Sequence, residues 1–524
     1  MKKILYIFLF FFGLVSCSEW LDIIPEGQMP EKKLFEKGAG YRSLLNGLYN
    51  AMGGPALYGK NLQFGFVDCL SQQYKTRVPD WQLSDEMIRE AGEFNYESVV
   101  LQRTIVETWL SAYNVIANAN ELLQNIEPES ESKFELGKAE KNLIRGEALA
   151  VRALMHFDLL RLFAPALIND DKGLYCPYID KHPGIYGVRL GVKDYIGRVI
   201  DDLEKAKELT MEFDTTALGR SVVATGKARF FNELPSDMEG GINTGALDGF
   251  FLGRGYRLNY YSIHALLARV YQWAGSREKA FDYAQKTLEF RVKSNGGSMY
   301  PVFSHEDFGG FAWNDDFESK TDIKVVSNLI FAVYSARSYE KNGLQYYFNK
   351  LPNKFGKNNW LQINIDEQEI FTTVDGKDEY QKDCRGEKLI YKVEGYYPLP
   401  GKWYLSDNIK IRDENANILP VIRATEMRYI MAEEYARQGK FQEAYGILNE
   451  IRCNRGLRDE DLTVKSSYTD FEKDMIRDAQ REWIAEGQLF YLYKRLNAKV
   501  KIRNEIRSLV KLEAVLPAPV NQIQ

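Results

Sequence analysis

Histidine is scarce in this chain: the 524 residues contain four, His156, His182, His264 and His305, and none lies close to another. That scatter gives no metal-ligand spacing, and H-E-x-x-H is absent. His156 and His264 fall inside helical patterns and are expected to pack or cap rather than ligate. Cysteine is nearly as sparse, with five residues and no C-x-x-C, which excludes a zinc ribbon and a thioredoxin-like redox motif. Cys69, Cys176, Cys384 and Cys453 leave three pairings or a fully reduced state open; buried thiols are the expectation. There is no G-x-S-x-G, no phosphate-cradling glycine loop and no dinucleotide fingerprint, so no common catalytic or cofactor signature is present. Asp413-x-Asn415-x-Asn417 has the start of a calcium loop, but Ile418 stands where glycine is needed and Ala424 where the bidentate glutamate belongs. Neither a cofactor nor a metal is expected. Basic residues are not in excess: 68 Lys and Arg against 73 Asp and Glu give a formal net charge of -5, which argues against a nucleic-acid partner.

Long hydrophobic runs are also missing, apart from Ile4 to Leu14 at the amino terminus. A bilayer span needs ~20 apolar residues, and this run is too short. Lys2 and Lys3 before it and Ser16 after it have the form of an export signal over residues 1–16. Leu14-Val15-Ser16-Cys17 is similar to a bacterial lipobox, which makes Cys17 the expected lipid attachment site of a mature chain running from 17 to 524. Each buried methylene contributes ~0.8 kcal/mol, so several acyl chains would hold the protein durably at a membrane surface. An ordinary cleaved signal is the plainer alternative.

What is abundant is apolar residues at helical spacing. Glu107 to Ile126 carries Trp109, Tyr113, Ile116, Asn120 and Leu123, and Lys138 to Phe163 carries Ala148, Ala153, Phe157, Leu160 and Phe163. These two segments should pair as a hairpin, followed by a helix over about Lys193 to Thr210. Tyr271, Gly275, Ala280 and Ala284 then repeat as Tyr435, Gly439, Ala444 and Leu448, with the same spacing of four, five and four. That is a tetratricopeptide-like signature: a turn glycine ends one helix, and a small residue lets the next approach closely. The expected fold is mainly α, a helical-repeat scaffold over about 100–290 and 420–500. It carries a loop-rich excursion over about 290–420 with short β-strands at Leu329 to Tyr334, Leu389 to Val393 and Asn408 to Ile411. Trp109, Tyr113, Tyr271, Tyr435 and Trp483 are expected in the core.

The wording of these helices resembles the SusD/RagB outer-membrane lipoproteins. The stretch Gly146-Glu147-Ala148-Leu149-Ala150-Val151-Arg152-Ala153, continuing through Phe157 to Phe163, is similar to that family's most recognisable motif. Trp20-Leu21-Asp22 after Cys17, Arg423 with Glu426, Tyr429 and Glu433, Leu448 to Arg452, Arg455-Gly456-Leu457, and Glu482 with Glu486-Gly487 extend the resemblance over the chain. The ending departs from it, with Leu516-Pro517-Ala518-Pro519 in place of a Pro-Ile-Pro turn and an asparagine-rich tail. The resemblance implies a single SusD-like domain and no enzymatic activity. It implies a lipid-anchored protein of the cell exterior that captures an oligosaccharide, or a peptide, for a SusC-like TonB-dependent outer-membrane barrel. The motif Arg and Glu residues should be architectural.

Sugars offer apolar C–H faces to aromatic rings and hydroxyls to amides, carboxylates and guanidinium groups. Loop aromatics beside polar residues are therefore the candidates: Trp81 with Asp80 and Gln82, and Phe311, Trp313, Asn314 and Asp315 with Tyr300. Trp360, Tyr396, Tyr397 and Trp403 form a second cluster. Two other classes fit the residues, a lipid-anchored glycan hydrolase built on paired carboxylates and a helical-repeat scaffold that binds only proteins.

Overall fold

The computed structural model describes residues 34–76, 85–184, 187–234, 248–294, 296–303, 316–339, 343–350, 359–503 and 505–519. Its principal helices are α1 (Gly38–Met52), α2 (Glu86–Gly92), α3 (Val99–Ile126), α4 (Gly137–Phe163), α5 (Val192–Asp214), α6 (Tyr260–Trp273), α7 (Arg277–Glu289), α8 (Ile409–Ala416), α9 (Ala424–Arg437), α10 (Phe441–Cys453), α11 (Tyr468–Glu482) and α12 (Leu489–Leu496). Among the described residues the strands pair only two at a time, all antiparallel: β1 (Cys176–Pro177) with β2 (Arg189–Leu190), β3 (Arg291–Lys293) with β4 (Met299–Pro301), β5 (Leu329–Tyr334) with β8 (Ile418–Arg423), β6 (Ile390–Val393) with β7 (Tyr397–Pro400), and β9 (Val500–Ile502) with β10 (Glu505–Arg507). The fold is mainly α with short strands, as the periodicity predicts.

Helix α3 starts well before Glu107. The Ser98 hydroxyl caps it by accepting from the Leu101 amide, and exposed Val99, Gln102 and Arg103 break the apolar stripe that periodicity relies on. α4 packs against both α3 and α5, and every residue from Gly146 to Phe163 is buried. Gly146 is required there, because a Cβ would stand 2.6 Å from Thr210 Cγ2 and 2.9 Å from the Ala206 carbonyl. A helix buried on all sides must pair its polar groups. Arg152 accordingly meets Asp202 (2.6 Å) and Asn120 (2.8 Å), Glu147 meets Arg254 and the Tyr49 hydroxyl, and Asp158 meets Arg161 and Tyr58. His156 bonds the Tyr195 hydroxyl (2.7 Å) and the Ile179 carbonyl (3.1 Å). Burial brings its pKa down to about 3, so it is a neutral packing residue.

The repeat proves to be a shared turn. Gly275 and Gly439 take left-handed φ of 72° and 77°. The next residues are near-identical, Ser276 at φ -84°, ψ 69° and Lys440 at φ -84°, ψ 68°. In each copy the amide five residues on returns to the tyrosine carbonyl at 2.9 Å, Ser276 to Tyr271 and Lys440 to Tyr435, a closing bond that only a left-handed residue permits. Ala280, Ala284, Ala444 and Leu448 are buried where the helices meet. Trp109, Tyr271 and Trp483 are buried, with Tyr113 and Tyr435 packed against the same core.

The excursion is more deeply built in than its composition suggests. β5 runs as expected and pairs with β8, which leads directly into α9. Two expectations fail. Asn408 to Ile411 begins α8 instead of a strand, because the Asn408 side chain accepts from the Lys410 and Ile411 amides and nucleates a helix. Cys453 is exposed at the end of α10, whereas Cys69, Cys176 and Cys384 are buried and unpaired. Burial pushes the Cys176 thiol up to about 12. Asn415, from the rejected calcium motif, is buried and spends its side chain on the Ile323 amide and the Ile411 carbonyl.

A buried network of guanidinium and carboxylate groups fastens the excursion to the repeats. Arg455 grips Glu482 with two bonds (2.7 and 3.0 Å). Arg385 reaches Asp383 (2.8 Å), Asp478 (2.7 Å) and Glu482 (3.2 Å). Arg423 takes both oxygens of Glu486 at 2.7 Å, which Lys402 shares. Burial would raise the Glu482 carboxyl, but Arg455 and Arg385 outweigh it and hold the group well below the ordinary range.

Glu482→Gln leaves buried cations short of a partner, so chemical denaturation should show a loss of ~3–5 kcal/mol. Glu414→Gln, at the exposed Lys410–Glu414 pair of α8, should stay within ~0.5 kcal/mol. Asp68 is fully buried, and desolvation raises its carboxyl to about 8, with Glu486 nearby adding to it. The folded chain then keeps a proton that the unfolded chain releases above the ordinary carboxylate pKa, so this group's contribution to stability falls as pH rises from about 4 to 8. Asp68→Asn should flatten that part of the stability-versus-pH curve and gain most over the parent near pH 8; parallel curves for the two proteins would contradict it.

Candidate functional site

Trp360 and Trp403 do not present their rings to ligand. Trp403 is buried against Phe64, with centroids 5.0 Å apart, and its indole nitrogen donates to the Ala485 carbonyl at 3.0 Å. Trp360 is buried with Val393 and Leu399 and lies 5.3 Å from the half-buried Tyr397 ring. This small cluster holds the β6–β7 hairpin, in which Ile390 pairs with Pro400 and Val393 with Tyr397. Glu394 and Gly395 both take left-handed φ, 52° and 78°, and the Tyr396 amide closes the turn on the Val393 carbonyl. Strand alternation turns Tyr397 inward and leaves Tyr396 at the tip, 83% exposed.

Tyr396 borders an open cleft of about 520 Å³. Its far wall is the 365–380 loop, with Tyr380, Asp366, Glu369 and Asp378, while Lys75 and Lys392 supply positive charge. Beneath it three segments meet as a short ladder. The Lys75 amide donates to Gln362 (2.8 Å), the Asn364 amide to Gln73 (2.7 Å), and the Ile363 amide to Pro398 (2.8 Å). The Lys392 ammonium sits 4.8 Å from the Tyr380 ring, which meets Phe371 edge-on at 5.3 Å. Burial, with Glu387 and Asp366 nearby, pushes the Tyr380 hydroxyl up to about 12, so it stays protonated as a donor at neutral pH.

The far wall is held from behind by α11 and α10. Arg477 donates to the Gln368 (2.5 Å) and Glu369 (2.8 Å) carbonyls, and Arg481 to the Ile370 carbonyl (2.8 Å). Glu379 is clamped between Arg481 (2.6 Å) and Arg452 (2.7 Å). An irregular loop is thereby given the rigidity of the helices behind it. The cleft combines two tyrosine rings with carboxylates, a phenol and ammonium groups, which suits a ligand having apolar faces and hydroxyl edges. Among the described residues no group of His, Cys, Asp and Glu could hold a metal ion.

Of the residues singled out from sequence, Asp80, Trp81, Gln82, Phe311, Trp313, Asn314 and Asp315 lie outside the described residues, as does Cys17. Tyr300 is half exposed on β4 but does not line this cleft. Tyr396 is brought to the cleft, Trp360 and Tyr397 pack beneath its hairpin, and Trp403 is buried in the main core. Tyr380, Asp366, Glu369, Asp378, Lys75 and Lys392 were not anticipated. One local signal existed, the Glu394-Gly395 turn between two β-like runs; the Arg477 and Arg481 clamp has none.

Comparison with known proteins agrees with this architecture. The SusD-like family described as "Starch-binding associating with outer membrane" matches residues 19–217. The curated SusD-like protein P25 of Formosa agariphila is 25% identical over 167 residues, which cover 31% of this chain and 30% of that protein. A SusD superfamily protein of Bacteroides thetaiotaomicron superposes with a TM-score of 0.63 at 22% identity, covering 91% of this chain and 92% of its own. A SusD-like carbohydrate binding protein of Bacteroides vulgatus gives 0.58 at 18%, covering 88% and 84%. Over about nine-tenths of its length the chain has the fold of these SusD superfamily structures, and residues 19–217 match the SusD-like family in sequence.

Proposed function

We propose that this protein is a non-enzymatic, lipid-anchored binding subunit that captures a carbohydrate oligomer at the outer membrane and passes it to a SusC-like TonB-dependent barrel. Tyr396 carries the reading: a tyrosine 83% exposed at the tip of a braced hairpin, beside a cleft that also holds Tyr380 and three carboxylates. Ring faces beside hydrogen-bonding edges, gathered in one concave surface, are what a sugar requires. The family description, starch binding and association with the outer membrane, supports the ligand class and the location. A carbohydrate-binding neighbour with the same fold points the same way. Cys17 is the proposed anchor, and residues 17–524 the proposed single binding unit.

Titration calorimetry against a panel of oligosaccharides and peptides should show saturable binding to an oligosaccharide with no release of reducing ends. Tyr396→Ala should weaken that binding about tenfold, the loss of ~1.4 kcal/mol, and leave unfolding stability within ~0.5 kcal/mol of the parent. Trp81→Ala and Trp313→Ala test the two sequence-based candidates in the same titration. Product formation that stops on neutralising Asp366 or Asp378 would replace binding with hydrolysis. Affinity for peptides alone would replace the ligand class.

Cys17→Ala should abolish incorporation of labelled fatty acid and release the protein from the membrane fraction. A native product with an unmodified amino terminus, free of the membrane, would refute the anchor.

A further inference from the structure

A second groove, of about 700 Å³, lies on the other side of the 368–374 loop from the tyrosine cleft and shares Glu369 with it. It runs between the outer face of α11 and the β9–β10 hairpin, and its charge is unlike that of the cleft. α11 contributes Lys473 and Arg477, one helical turn apart on one face. Val500 and Ile502 of β9 are buried, and Lys501 between them lines the groove together with Val500 and with Lys499 just before the strand. Four cations thus face two carboxylates, Glu369 and Glu472. Among the described residues Lys473 pairs only with exposed Asp470, at 3.1 Å. Arg477 is occupied by carbonyl oxygens, with Glu369 no nearer than 3.8 Å. Lys499 and Lys501 form no ion pair among the described residues. Gln368, Gln480, Asn497, Thr373 and Thr469 add hydrogen-bonding groups beside the apolar Val374, Ile476 and Ile506, and among the described residues no aromatic ring lines the groove.

We propose that this groove is an anion subsite of the binding surface, taking a carboxylate- or sulfate-bearing unit of an acidic oligosaccharide whose neutral face stacks in the cleft beside Tyr396. The inference rests on the carbohydrate reading above and narrows it to a charged class. Two lysines without counter-ions among the described residues, across from a second cationic row, offer a concentration of positive charge to an anionic unit. Neutral sugars would leave those charges unpaired. The preference follows from attraction between opposite charges in a concave surface, so it should weaken with salt.

Full-length protein in detergent would be titrated with a galacturonate hexamer, a chondroitin sulfate hexasaccharide, maltohexaose, and a linear polyphosphate of matching charge. One or both acidic hexamers should bind at least tenfold more tightly than maltohexaose, and that advantage should shrink between 50 and 300 mM salt. Lys499→Gln/Lys501→Gln should erase the advantage while leaving maltohexaose affinity and thermal stability unchanged; Tyr396→Ala should weaken acidic and neutral hexamers alike. If acidic hexamers bind no better than maltohexaose, or the lysine variant leaves their affinity unchanged, the anion subsite is refuted and the cleft reading stands on Tyr396→Ala alone. Binding of polyphosphate as tight as that of either sugar would refute the carbohydrate specificity of the groove. If no hexamer binds, both readings fall.

Discussion

The structure depends on a buried network of paired charge. Glu482 at the end of α11 receives Arg455 and Arg385, and Asp478 one turn earlier receives Arg385 and the Tyr429 hydroxyl. Arg423 and Lys402 close on Glu486 a few residues later. These groups come from β8, α9, α11, the segment after α10 and the excursion, so a single network ties together parts of the chain far apart in sequence. Desolvating so many ions is costly, and the cost is recovered only when the two-pronged geometry is complete. Such a network favours one arrangement of helices over the many that apolar packing alone would tolerate.

The tyrosine cleft inherits its rigidity from that arrangement. Arg481 reaches Glu379 and Asp383 within the network, and with Arg477 it also holds the carbonyls of the loop that walls the cleft. Tyr396 is fixed from the other side, through Trp360 and Tyr397 beneath its hairpin. The apolar aromatics of the excursion thus serve the exposed one. A ligand meeting this surface would find two walls already ordered, which lowers the entropy lost on binding.

Much of the helical framework was legible in the chain. The two long helices, the third behind them, the repeated turn and the architectural role of Arg455 and Glu482 follow from periodicity, glycine placement and family wording. Where reading failed, a local interaction had overridden the pattern: Ser98 started α3 early over a polar-faced turn, and Asn408 capped a helix where β-branched residues suggested a strand. The site was only partly readable. Tyr396 was legible only as one of four aromatics in the second loop cluster, and nothing in sequence separates it from Tyr397 beside it or from buried Trp360 and Trp403.

Short-range patterns therefore determined which segments coil, where they turn, and which aromatics lie in helical stripes, because those outcomes depend on residues within one or two turns of each other. Tertiary structure alone decided which ring meets water, which loop is clamped by Arg477 and Arg481, and that Lys499 and Lys501 face Lys473 across one groove. Those relations join residues up to about a hundred positions apart through carbonyl oxygens and strand faces, and their side-chain identities carry no mark of the partner they will meet.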